Sequence, residues 1–120
     1  MPKKTLVLGA SANPARYSYL AMRQLQANGH EVVAIGRRPG EVNGILIETA
    51  PRKIDDIDTV TLYLNPANQK QYYSYILSLR PKRLIFNPGT ENEELARMAR
   101  EQGIRPLEAC TLVLLSTRQY

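Results

Sequence analysis

The sequence predicts an α/β sandwich built on a mainly parallel, five-stranded sheet. Three observations carry that expectation. Short apolar runs alternate with segments of helical spacing, the pattern of strands joined by crossover helices. The first two runs and the helix between them fit within Thr5–Ile35, the size of one βαβ unit. Three runs end in the same punctuation, an Asn-Pro pair where a helix should begin. Leu6-Val7-Leu8-Gly9 leads to Asn13-Pro14, Leu62-Tyr63-Leu64 to Asn65-Pro66, and Leu84-Ile85-Phe86 to Asn87-Pro88-Gly89. Parallel strands of one sheet would bring all three loops to one edge.

The elements follow in order. Thr5–Leu8 is a continuous apolar run, as expected of a strand covered on both faces. Tyr17, Leu20, Ala21, Gln24 and Leu25 recur at helical spacing, and Asn28-Gly29 suits that helix's C-terminus. Glu31–Ile35, rich in β-branched residues, is the second strand, reached by a right-handed crossover. From Gly36 to Ala50 the pattern is irregular. Pro39-Gly40 and Asn43-Gly44 mark turns, and Ile45–Ile47 offers a short edge strand. Pro51–Asp58 reads as a loop or one helical turn. Thr59–Leu64 is the third main strand. Asn65 is placed to cap the next helix, with Pro66 at its first position. Tyr72, Tyr73, Ile76, Leu77 and Arg80 form that helix's stripe, and Pro81 ends it. Arg83–Phe86 is the fourth strand. Thr90 and Glu93 have capping-box spacing for a helix through Gln102, closed by Gly103. Ile104–Glu108 is the fifth strand, and Thr111–Leu115, which fits a strand or a helix turn by periodicity alone, is read as a short terminal helix.

The length of 120 residues suits one domain spanning 1–120, and 43% hydrophobic residues can form a core. No apolar run approaches the roughly 20 residues that span a bilayer, so no membrane partner is expected. The N-terminal run lacks a signal-peptide pattern, so a cytoplasmic location is expected. A single Cys110 and a single His30 exclude an internal disulfide and leave a zinc site almost nothing to be built from. The net charge of +5 favours polyanions, either phosphorylated small molecules or nucleic acid. The basic residues are scattered in pairs with no basic–aromatic repeat, which speaks against nucleic acid. An exposed sheet edge leaves room for a homodimer.

Ligands of open parallel sheets bind beyond the carboxyl ends of the strands, where the strand order reverses. Helix N-termini there carry unpaired donors and partial positive charge, which suit a phosphate. The first- and third-strand loops have small residues and are expected to offer free backbone N–H groups, and Gly9 and Ala10 let the backbone approach closely. Ser11 and Asn13 can donate to, or orient, a phosphate oxygen, and Arg16 lies one turn further on. The dinucleotide pattern G-x-G-x-x-G falls on Gly9, Ser11 and Pro14, so only its first glycine is kept. A tight strand-to-helix turn without a ligand is the plain alternative. The second strand ends in Gly36-Arg37-Arg38, where an NAD site usually has an acid. Arginines would attract the ribose phosphate that NADP and coenzyme A both carry; two solvated arginines is the competing reading. Tyr63 could stack on a base or simply pack in the sheet. No catalytic constellation is evident. Cys110 lies at the right edge, but His30 lies at the other and is a poor partner, so the thiol reads rather as a small buried residue or a loop contact. Glu91, Glu93 and Glu94 could act as acid or base at the third of these loops, though first-turn glutamates are also the ordinary complement to a helix dipole, and that plainer reading is preferred.

The run Gly9-Ala10-Ser11-Ala12-Asn13-Pro14-Ala15-Arg16-Tyr17-Ser18-Tyr19 resembles the opening signature of the small stand-alone CoA-binding domain proteins, the YccU-like group. These are similar to the CoA-binding domain of the succinyl-CoA synthetase α subunit. Asn87–Leu95 is similar to the group's fourth-strand loop, and Gly103-Ile104 through Cys110 to its closing segment. The resemblance implies a Rossmann-like three-layer sandwich with coenzyme A along the strand ends. It assigns Gly9, Ala10, Ser11, Asn13, Arg16 and Ser18 to the phosphate loop. Tyr63 and Asn65 fall in the third-strand loop; Asn87, Pro88, Gly89 and Thr90 fall in the fourth. Gly36-Arg37 departs from the group's frequent Asn-Pro, and Ile85-Phe86-Asn87 from its aromatic-Leu-Gln. The synthetase's phosphorylated histidine belongs to a domain not found in this sequence, which argues against synthetase chemistry. The expectation is therefore non-catalytic binding of coenzyme A or an acyl-CoA, with Gly36, Arg37 and Arg38 completing the site. The alternative is an NADP-binding reductase-like or an acyl-transfer enzyme.

Overall fold

The computed structural model describes residues 2–120. Seven strands form one sheet: β1 (Thr5–Leu8), β2 (Val32–Ile35), β3 (Gly40–Val42), β4 (Ile45–Glu48), β5 (Thr59–Leu62), β6 (Arg83–Phe86) and β7 (Arg105–Glu108). Their order is β3-β4-β2-β1-β5-β6-β7, and every pairing is parallel except β3 with β4. The α/β class with a mainly parallel sheet is thus as the sequence predicts, but the count rises from five strands to seven. The additions are a hairpin at one edge. Its turn is Asn43-Gly44, with φ of 49° and 84°. Two positive φ values in a two-residue loop match the twist of antiparallel strands. Ile45–Ile47 is a strand as expected, but not the edge: it pairs with both β2 and β3, and β3, whose Gly-Glu-Val has too little apolar pattern to be seen, takes the edge.

β1 and β5 are buried at every position, because helices cover both faces. The helices are α1 (Tyr17–Ala27), α2 (Pro66–Gln69), α3 (Tyr73–Ser78), α4 (Glu93–Glu101) and α5 (Thr111–Ser116), with a 3₁₀ turn at Lys70–Tyr72. Successive residues of a strand face opposite layers. Leu6 and Leu8 accordingly pack with Ile76 and Leu77 of α3 and Leu95 and Ala99 of α4. Val7 packs with Met22 and Leu25 of α1 and Leu115 of α5. The chain steps from β1 to β2 in one direction and from β5 to β6 in the other. Right-handed crossovers taken in opposite directions put their helices on opposite faces. The order therefore reverses between β1 and β5.

Two helix starts differ from expectation. α1 begins at Tyr17, not directly after Asn13-Pro14. The Asn13 carbonyl accepts from the Arg16 N–H (3.0 Å) and its side chain accepts from the Ala15 N–H (3.0 Å), closing a separate turn first. α4 is capped by Asn92, whose side chain accepts from the Leu95 N–H at 3.2 Å. Thr90 instead donates its hydroxyl back to the Asn87 carbonyl at 2.8 Å, so the expected capping box does not form. The expected helix after Asn65 exists but is broken at the 3₁₀ turn.

Candidate functional site

The loops after β1, β2, β5 and β6 share the carboxyl edge of the sheet, with the β1 loop beside the β5 loop. Three close approaches fix the β1 loop. Gly9 has φ of 95°, and an added Cβ would lie 2.9 Å from the Tyr63 backbone. At Gly36 a Cβ would lie 2.2 Å from the Ala10 carbonyl oxygen, and at Gly40 it would lie 2.9 Å from the Ala12 Cβ. Segment 36–40 therefore lies directly on segment 10–12, which brings Arg37 and Arg38 to the first loop. No acidic side chain pairs with Arg16, Arg37 or Arg38 among the described residues, and all three are exposed.

The donors of this loop divide into two sets. The N–H groups of Gly9 and Ala10 both donate to the Ile35 carbonyl at 2.9 Å, so they hold the turn and are not free, against expectation. The Asn13 N–H donates to the Ser11 Oγ at 3.0 Å. The N–H groups of Ser11, Ala12, Tyr17 and Ser18 find no partner among the described residues. Arg16 stands at the N-cap of α1 without a side-chain cap bond. The start of an 11-residue helix is thus left with open donors and a cation beside it. Ser18 is only 3% exposed, so its hydroxyl faces inward and only its backbone belongs to this surface.

The other predicted residues are placed differently. Asn65 is exposed, but its side chain caps α2 by accepting from the Asn68 N–H at 2.9 Å. Asn87 is 2% exposed. Its Nδ2 donates to the Thr61 hydroxyl (2.7 Å) and the Leu62 carbonyl (2.9 Å), and its Oδ1 accepts from the Thr111 N–H (2.9 Å). All of its side-chain hydrogens are therefore occupied inside the protein. Thr90 is buried; Pro88 and Gly89 remain at the surface. The Tyr63 ring packs in the layer beneath α1 and α5, and its hydroxyl is buried without a hydrogen-bond partner. Burial pushes its pKa up. The Thr61 hydroxyl opposes that shift in part, but is itself held by Thr111 (2.8 Å) and Asn87. Cys110 is half-buried at the start of α5. His30 lies against Lys3 and Tyr120 near the amino ends of the strands, so it is remote from that thiol.

Two residues of this edge escaped sequence reasoning. Gln69 is fully buried, and Asn92 both caps α4 and donates to Gln69. A Gln inside a polar helical stretch gives no sign of burial; the Asn three residues before Leu95 was a readable cap signal. Two open cavities lie elsewhere. One, of about 490 Å³, lies between Pro51–Asp56 and α3; the other, of about 450 Å³, lies around Lys3, His30 and Tyr120. No residue of the four loops lines either. The loop edge is the better candidate, because open donors and unpaired cations converge there.

Together, the parallel sheet, its reversal of order and the helix-topped loops define a Rossmann-like α/β protein. A family model described as a CoA binding domain matches residues 3–116, and the chain belongs to that family. A crystal structure described as that of an uncharacterized protein is 53% identical and covers 100% of this chain and 99% of its own, with a TM-score of 0.98. A hypothetical protein from Pyrococcus horikoshii OT3 is 26% identical over 98% of this chain and 84% of its own, with a TM-score of 0.85. A Thermus thermophilus protein, 21% identical over 99% of this chain and 91% of its own, shares the fold at a TM-score of 0.84. No curated protein matches the chain. Among the described residues no helix is long and apolar enough to cross a membrane.

Proposed function

We propose that residues 1–120 form one domain that binds coenzyme A or an acyl-CoA along the carboxyl edge of the sheet and performs no chemistry on it. The observation that carries this reading is the Gly36–Ala10 approach, which sets two unpaired arginines against a loop with open donors. The diphosphate of coenzyme A would meet the N–H groups of Ser11, Ala12, Tyr17 and Ser18, with Arg16 beside them. A helix N-terminus suits such a group through its unpaired donors and its dipole. Arg37 and Arg38 would take the ribose 3′-phosphate. The pantetheine arm would run past Asn65 toward Pro88 and Gly89. From β2 to β6 is three strand spacings, roughly 14 Å, which an extended arm spans. Family membership supports the ligand class. His30, the one imidazole, lies with Lys3 and Tyr120 away from Cys110, and this reading assigns no catalytic group.

Calorimetric titration with coenzyme A and with dephospho-CoA tests this reading. Binding is expected for both, about tenfold weaker for the dephospho form, or roughly 1.4 kcal/mol. Absence of heat with either would overturn the ligand. Equal affinities would remove the role given to Arg37 and Arg38. Tighter binding of NADPH that excess coenzyme A does not displace would replace it by the NADP alternative.

A further inference from the structure

We infer that Gln69 is a positioning residue that locks the β5 loop and the β6 loop into one body and so fixes the wall they form along the carboxyl edge. The side chain is 0% exposed and uncharged, at the end of α2. A primary amide has two hydrogens. One points at the Leu64 carbonyl (2.8 Å), the residue just before the cap of α2. The other points at the Thr90 carbonyl (2.7 Å), the last residue of the Asn87–Thr90 turn. Its Oε1 accepts from Asn92 Nδ2 at 2.9 Å, and Asn92 in turn caps α4. Asn92 Nδ2 also donates to the Tyr73 hydroxyl (2.8 Å), which donates to Glu94 (2.9 Å). Three segments thus converge on one buried amide: the start of α2 and the β6 loop through backbone carbonyls, and the start of α4 through the Asn92 side chain.

Only an amide of this length fits the geometry. A carboxylate offers no donor to two carbonyls, a Met offers none at all, and an Asn is one methylene short. Removing the amide leaves two carbonyls turned toward the interior without partners, which the protein relieves by letting the loops part. The helix break fits the same cause. The segment turns to 3₁₀ at Lys70, immediately after the residue that is drawn inward. The consequence for binding rests on the proposed ligand reading; the coupling of the two loops does not.

The test compares Gln69→Met and Gln69→Asn with the parent by amide hydrogen exchange and by titration with coenzyme A. The expected result is a loss of protection of at least tenfold in 64–70 and 87–92 together, with β1 and β5 unchanged. Affinity for coenzyme A should fall at least tenfold. Tyr73→Phe, which spares the amide's own bonds, should stay within twofold of the parent in both. If Gln69→Met does not fold, Gln69→Asn carries the same comparison. Loss of protection confined to 64–70 would overturn the inference, since Gln69 would then serve only its own helix. So would loosened loops with unchanged affinity. A parent protein that does not bind coenzyme A would refute the ligand, while the exchange pattern would still decide the coupling.

Discussion

Gly36→Ala isolates the contact on which the site depends. The new Cβ would lie 2.2 Å from the Ala10 carbonyl oxygen and 3.1 Å from both the Ala10 carbonyl carbon and the Ile47 Cγ2. Backbone cannot swing aside as a side-chain tip can. Reaching even 3.0 Å needs a shift of about 0.8 Å between the two loops. The Gly9 and Ala10 N–H groups sit 2.9 Å from the Ile35 carbonyl, so such a shift breaks at least one of those bonds. One buried backbone bond contributes about 1 kcal/mol, and overpacking costs about 1–3 kcal/mol. The expected loss is about 2–4 kcal/mol, or roughly 10 °C in Tm for a chain of this size. Urea unfolding should show a lower midpoint with an unchanged slope. Affinity for coenzyme A, measured where the variant is still folded, should fall at least tenfold. A variant within about 0.5 kcal/mol of the parent and with unchanged affinity would refute the reasoning, because the loops would then not depend on each other.

Replacing Arg37 and Arg38 together by Ala should erase the preference for coenzyme A over dephospho-CoA and flatten the salt dependence of binding, with little change in Tm, since neither side chain is packed; calorimetry at two ionic strengths checks both. Tyr63→Phe removes a buried hydroxyl that has no partner. It should raise stability by about 1 kcal/mol and leave ligand affinity unchanged; a loss of affinity would show that the hydroxyl meets the ligand. Asn87→Leu strands the buried Thr111 N–H and the Leu62 carbonyl, so urea unfolding should show a loss of about 3 kcal/mol. The His30 pKa is lowered, first by burial and then by the Lys3 charge, and its Nδ1 accepts the Lys3 N–H at 2.9 Å. A folded-state pKa below the unfolded value of 6.5 means that protonation favours unfolding. Stability from this group is full above pH 6.5 and is lost as pH falls through the lower folded value. Tm should therefore drop between pH 7.5 and 5, and His30→Gln should flatten that slope.

The three Asn-Pro pairs show what was legible and what was not. The Asn-Pro punctuation located three of the four carboxyl-edge loops, because an apolar run followed by a turn residue reports where a buried strand must end. It could not report which hydrogen bond each Asn would make. Asn65 caps its helix as its sequence suggests; Asn13 closes a turn within its own loop; Asn87 reaches 24 residues on to Thr111. The first two are local, and local competition between side chain and backbone can be read from neighbours. The third depends on α5 folding back beside β6, which no neighbouring residue encodes. The same holds for Gln69, whose partners lie 5 and 21 residues away. Strand β3 was missed for a different reason, although the Asn43-Gly44 turn and the Ile45–Ile47 strand beside it were readable. Its register rests on a two-residue turn and one short strand, so the periodic signal is too brief to count.

This division also decides where recognition is expected. In the β5 and β6 loops the polar side chains are largely turned inward: Asn87, Thr90 and Gln69 all bond to the protein. They shape that wall without presenting charge. In the β1 and β2 loops the order is inverted. Small residues carry the contacts between loops, and the open donors and arginines are left over at the surface. A ligand that is anionic at one end and neutral along the other fits such an edge, with its charged part toward β2 and its uncharged part toward β6. Coenzyme A has that polarity, with its phosphates at one end and a neutral amide chain at the other. NADP carries a charged nucleotide but ends in a compact nicotinamide riboside, which would leave the surface at Pro88 and Gly89 without a role. The missing second and third glycines of the dinucleotide pattern point the same way. Those glycines serve close approach to a dinucleotide's pyrophosphate and close helix–strand packing, whereas here Gly36 and Gly40, from the neighbouring strand's loop, give the first loop its close contacts.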